Sequence, residues 1–68
     1  MELIECNWLA VQDKYHNVWL ADDESEITAD FDPDSASGSM IIVIATKALF
    51  IKNSKGEWQR SGTGEVAL

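Results

Sequence analysis

Apolar and polar positions along the chain fall into short blocks of roughly four to eight residues with turn chemistry between them, the spacing of strands rather than helices. Trp8, Leu9, Ala10, Val11 and Gln12 form one such block, and Val18, Trp19, Leu20 and Ala21 another. The polar-leaning residues 13–17 between them predict a β-hairpin with a longer loop, on which His16 is an exposed turn residue. Residues 1–10 also admit a short helix with Leu3, Cys6 and Ala10 on one face, although no cap precedes it.

Residues 40–45 run without polar interruption and are rich in Ile and Val, which predicts a central strand covered on both faces. Thr46 and Lys47 turn the chain or briefly interrupt it. Residues 48–52 then predict a further strand. Asn53, Ser54, Lys55 and Gly56 are the clearest turn signal, with Gly56 free to take positive φ. Residues 57–60 complete a second hairpin, and 61–68 add a short edge strand or fray. The pattern as a whole predicts a β-rich α+β domain, a small antiparallel sheet or partial barrel of about five strands with a short N-terminal helix as an option.

The chain has 68 residues, one domain spanning 1–68, and its formal net charge is −7. A core of this size leaves little room for a deep catalytic cavity, which argues against an enzyme. The five Lys and Arg residues are scattered, and none lies between Lys14 and Lys47. Direct nucleic-acid binding is disfavoured because phosphate contacts need clustered cations. An acidic field favours a basic protein surface and repels anionic membrane. Cys6 is the only cysteine, so no internal disulfide forms, and a small buried hydrophobe in a reducing cytoplasm is expected. The first residues carry neither a basic region nor a long apolar run, so no signal peptide or membrane helix is expected.

Residues 22–34 concentrate the charge: Asp22, Asp23, Glu24, Glu26, Asp30, Asp32 and Asp34 are seven of the twelve acidic residues. Asp30, Asp32 and Asp34 have the alternating spacing that begins a calcium loop, but Ser35 stands where Gly is needed and Ile41 where the closing Glu belongs. One His and one Cys far apart make no transition-metal pair. No metal or other cofactor is therefore expected. Acid–base catalysis needs two carboxylates in different environments, and nothing distinguishes one acid here from the next. Gly62, Thr63 and Gly64 lack the helix and the cation of a phosphate loop. No catalytic residue is assigned.

An extended backbone from residue 22 would place Asp22, Glu24 and Glu26 on one face about 7 Å apart. That pitch is close to the phosphate repeat along one DNA strand, about 6–7 Å along the backbone. The three tryptophans read as core or half-buried hairpin residues, and one exposed beside the acidic row becomes an interface anchor.

Residues 24–60 resemble the phage inhibitors of uracil-DNA glycosylase. The resemblance lies in Glu24, Ser25, Glu26 and Ile27, the Phe31-Asp32 step, the apolar run from Met40 to Thr46, and the hairpin from Ala48 to Glu57. It implies a small acidic DNA mimic that blocks the enzyme's DNA-binding cleft, with Glu24 and Ser25 on an edge strand entering that cleft. The chain departs from the family where Asp23 replaces a Gln and where residues 31–39 leave no room for an acidic helix.

The expected function is thus a non-enzymatic inhibitor of phage or mobile-element type, acting in the cytoplasm, or in the host's cytoplasm if phage-encoded. Its partner-binding residues are Asp22, Asp23, Glu24, Ser25, Glu26, Asp30, Asp32 and Asp34, and its partner is a protein with a basic, DNA-binding surface. The alternative is a homo-oligomeric β-barrel module that binds a small ligand or serves as a structural subunit.

Overall fold

The computed structural model describes residues 1–67, among which five strands form one sheet. They are β1 (Glu2–Leu9), β2 (Lys14–Ala21), β3 (Met40–Val43), β4 (Leu49–Lys52) and β5 (Trp58–Arg60), arranged in chain order. Pairing is antiparallel except between β2 and β3, which run parallel. The domain is β-rich, as the block pattern predicts. A parallel pair needs a crossover rather than a tight turn, and residues 22–39 supply it.

Alternation along each strand divides the sheet into two faces. One face carries Ala21, Ile41, Val43, Phe50 and Trp58, all buried, and the crossover adds Ile27 and Phe31 over them. Burying each large apolar side chain contributes roughly 1.5–3 kcal/mol, so the core lies between this face and the loop. Phe31 packs edge-on against Trp19, with ring centroids 5.0 Å apart, and lies 6.1 Å from Trp58. Trp58 Nε1 donates to the Phe31 carbonyl at 2.8 Å, satisfying the indole inside the core.

The last part of the crossover behaves as a prelude to β3. Ala36 N donates to Tyr15 O on β2, while Gly38 N and Lys52 N exchange bonds with Lys52 O and Ser39 O across to β4. Asn17 N also donates to Ser39 Oγ at 3.1 Å. Both flanking strands thereby pin residues 36–39 before the regular ladder begins.

The two edges differ. Residues 65–67 cover β5 through Arg60 N to Glu65 O and Ala67 N to Trp58 O, with a bridge between Gln59 and Val66. The short C-terminal edge is therefore present up to residue 67, and Leu68 lies outside the described residues. β1 is an open edge interrupted by a register shift between Leu3 and Glu5. A bulge and two glutamates on an edge strand oppose indiscriminate strand addition.

Several local expectations change. Residues 2–9 are strand, not helix: an eight-residue ladder on β2 satisfies the backbone, whereas a helix there has no cap. The first hairpin turns at 10–13 rather than 13–17, and Asp13 takes the left-handed conformation at φ 56°. Asp tolerates this region because its short polar side chain bonds locally. His16 consequently belongs to β2, half-buried, with Nε2 2.8 Å from Gly38 O. Cys6 is exposed, because β1 lies beyond the cover of the crossover. β3 is central but covered on one face only, since Ile42 remains 38% exposed while Ile41 and Val43 are fully buried. The β4–β5 turn forms as read, with Gly56 at φ 83° and Asn53 Oδ1 accepting from Lys55 N and Glu57 N. No helix among the described residues is long and apolar enough to cross a membrane.

Candidate interaction surface

The acidic segment leaves β2 at Asp22 and at once closes into a 3-10 turn, Glu24–Glu26. Asp23 accepts from Ser25 N at 3.0 Å, while Glu26 Oε2 accepts from Asp23 N at 3.1 Å and from Asp22 N at 2.7 Å. These reciprocal bonds make a capping box, in which two acids satisfy the free amides of a turn start. An edge strand at 22–28 is therefore excluded, and with it a straight row of Asp22, Glu24 and Glu26 at strand pitch. The Asp23-x-x-Glu26 spacing is the sequence signal that marks this turn.

Two acids of the turn are bound to the rest of the fold. Glu24 pairs with Arg60 on β5 and accepts from Thr46 Oγ1 at 2.6 Å. The Thr46 hydroxyl, and after it the Arg60 guanidinium, holds the Glu24 carboxyl below its usual range. Arg60 also lies over the Phe50 ring, 5.3 Å from its centroid. Glu26 Oε1 meets the Met1 amine at 2.6 Å, and this contact with the backbone amides lowers its carboxyl in the same direction. A carboxyl whose charged form is favoured suits an ion pair, not a general acid near neutral pH.

Asp32 is the third anchored acid. Its Oδ2 accepts from Trp19 Nε1 at 2.8 Å and Asn17 Nδ2 at 3.0 Å, and its backbone sits at φ 49°. Below it Lys52, buried on the core face of β4, donates to Asp32 O at 2.6 Å and Ser35 Oγ at 2.9 Å. The Lys52 ammonium stands 5.5 Å from the Trp58 ring centre. Burial lowers its pKa, and the Asp32 charge opposes that shift. Asn17 Oδ1 has no hydrogen-bond partner although it is buried.

The remaining acids face outward. Asp22, Asp23, Asp30 and Asp34 are exposed, as is Ser25, and none of the four has a cationic partner among the described residues. Asp30 accepts only from Thr28 Oγ1, at 2.9 Å. Asp30, Asp32 and Asp34 do not converge, and no group of three His, Cys, Asp or Glu side chains among the described residues is placed to hold a metal ion. The fold thus divides the eight sequence-predicted residues. Glu24, Glu26 and Asp32 hold the loop, while Asp22, Asp23, Ser25, Asp30 and Asp34 line its outer surface.

Sequence reasoning missed two neighbours of this surface. Arg60 and Lys52 hold it from below, and their loop partners are 36 and 20 residues away. Beside the loop, Trp8 and Tyr15 stack edge to face at 4.9 Å and each is 51% exposed. The register places them on the loop's face of the sheet, two residues along β2 from Asn17, which binds Asp32. Grooves are shallow by comparison. One of about 240 Å³ runs between Glu24, Phe50, Arg60 and Val66, and a wider one of about 510 Å³ follows the 59–64 turn. No family model matches the chain, and neither a curated protein nor a solved structure matches it.

Proposed function

We propose that the protein is a small non-enzymatic binding module whose acidic crossover docks on a basic surface of a protein partner. The observation that carries this reading is the pre-organised outer rank of Asp22, Asp23, Asp30 and Asp34, free of cations and mounted on a loop that Arg60, Trp19 and Lys52 tie to the sheet. Fixed like charges left unneutralised oppose folding, so a partner that neutralises them gains affinity without having to order the loop. The exposed Trp8–Tyr15 pair supplies an apolar anchor beside the charge.

A nucleic-acid-binding site is the basic surface such a module fits best, and uracil-DNA glycosylase is the narrowest target. The mimicry would rest on a curved cluster of aspartates, with Glu24 committed to Arg60. An inhibitor of this kind acts in the cytoplasm, or in the host's cytoplasm if phage-encoded.

The test is capture of partners from bacterial lysate by the wild type and by Asp22→Lys/Asp30→Lys/Asp34→Lys, at low and high salt. The wild type should retain a basic protein that high salt and the triple variant both release. An unchanged captured set would sink the acidic-surface reading. A uracil-excision assay with excess protein tests the narrow target alone, and undiminished activity eliminates it.

A further inference from the structure

β1 is an edge of the sheet that the chain leaves open. It is a terminal strand, and among the described residues no backbone hydrogen bond reaches its outer side, whereas residues 65–67 cover the opposite edge. Seven of its eight residues, Glu2 to Trp8, are exposed. A strand with free amides and carbonyls along one side is a template for another extended chain.

Register gives this edge two unlike faces. Leu3, Cys6 and Trp8 stand opposite Trp19, Asn17 and Tyr15, on the loop's side of the sheet, and Leu3 and Trp8 are 43% and 51% exposed. Glu2 and Glu5 stand opposite Leu20 and Val18, on the other side. Neither glutamate has a cationic partner among the described residues. Lys14, on that same side, pairs by register with Leu9, about 13 Å along the strand from Glu5.

We propose that β1 takes up an extended segment of a protein partner as a sixth strand, one in which basic residues alternate with apolar ones. Main-chain bonds along the free edge supply affinity, and alternation sets the side-chain requirement. Apolar residues of the added strand fall beside Leu3, Cys6 and Trp8. Its Lys or Arg residues fall beside Glu2 and Glu5, where opposite charges across strands attract. The register shift between Leu3 and Glu5 confines the regular ladder to residues 5–9, so Glu5 and Trp8 set the match. Charge decides against a second copy as the occupant. β1 contains no Lys or Arg, so a copy's β1 would leave Glu5 without a cation and bring together two chains of formal charge −7.

Strand addition shares with the acidic-surface reading only the sign of the partner's charge. The probe is a peptide of about ten residues with alternating Lys and Val, blocked at both ends, titrated to about 1 mM into isotope-labelled protein at about 0.15 M salt. Amide resonances of residues 5–9 should shift, and outward amides there should exchange at least about tenfold more slowly. The same peptide N-methylated at two successive central residues keeps every charge but has both edges blocked, and should bind more than about tenfold more weakly. Glu5→Lys, at an exposed position, should weaken the unmodified peptide about fivefold. No binding at about 1 mM overturns the proposal. Equal binding of the methylated peptide also overturns it, while leaving the acidic-surface reading standing, and so do shifts confined to residues 22–34. Exchange in β1 that slows with protein concentration alone would place a second copy on the edge and overturn it too. Failure of the lysate test with the loop variant leaves strand addition untouched, because that variant does not alter β1.

Discussion

Replacing Asp32 with Ala tests whether one inward carboxylate holds the acidic loop to the sheet. The substitution removes the acceptor of Trp19 Nε1 and Asn17 Nδ2 and places Ala at φ 49°. A hydrogen bond to a charged group contributes about 1.5–3 kcal/mol net, and two bonds sharing one oxygen are taken together as about 2–3 kcal/mol. Holding Ala in the left-handed region costs about 1 kcal/mol more. The total of about 3–4 kcal/mol matches the roughly 3–5 kcal/mol that a core of this size supplies. Asp32→Ala should therefore be largely unfolded at about 25 °C. Asp32→Asn keeps an acceptor and tolerates the left-handed backbone, so it should lose only about 1 kcal/mol. Asp34→Ala, on the outer surface, should stay within about 0.5 kcal/mol of the wild type. Urea unfolding followed by tryptophan fluorescence and far-UV circular dichroism measures all three. Equal midpoints for Asp32→Ala and Asp34→Ala would refute the division into holding and outward-facing acids.

Acid should destabilise the fold through Glu24. Its folded pKa is depressed below 4.5, so its contribution is present above that value and is lost as pH falls through the folded pKa. Thermal melts from neutral pH downward should show Glu24→Gln with a flatter acid limb than the wild type; parallel limbs would contradict the pairing. Lys52 has the opposite origin but the same sign. Burial depresses its pKa from 10.5, the folded state releases the proton first, and stability gains as pH climbs from the folded value toward 10.5. Lys52→Met should remove that alkaline gain, read as the difference in urea midpoint between the two proteins across the range. Cys6 is exposed on β1 and should react fully with a thiol reagent under native conditions. Labelling that requires denaturant would mean that β1 is covered.

The apolar strands β3 and β4 and the second half of β2 were legible from residue type alone. Residues 48–60 read correctly because the turn chemistry of Asn53 and Gly56 is local, and neighbours in sequence are neighbours in the sheet. The first hairpin was displaced by several residues because Lys14, Tyr15, His16 and Asn17 look like loop by polarity. They are strand because an exposed hairpin needs no apolar face, only a ladder partner, and β1 supplies it. Composition located the acidic surface but could not divide it. Whether a carboxylate faces inward depends on Arg60, Trp19 and Asn17, which the parallel β2–β3 step and its crossover bring beneath the loop. The uncovered face of β3 was hidden for a similar reason: the run at 40–45 is equally apolar on both sides, and only the path of residues 22–39 decides which side the chain itself covers. The sequence by itself determined which residues seek burial and where the charge concentrates. Tertiary structure decided which acids hold the loop and which face of the sheet remains open, because both depend on contacts between segments far apart in the chain.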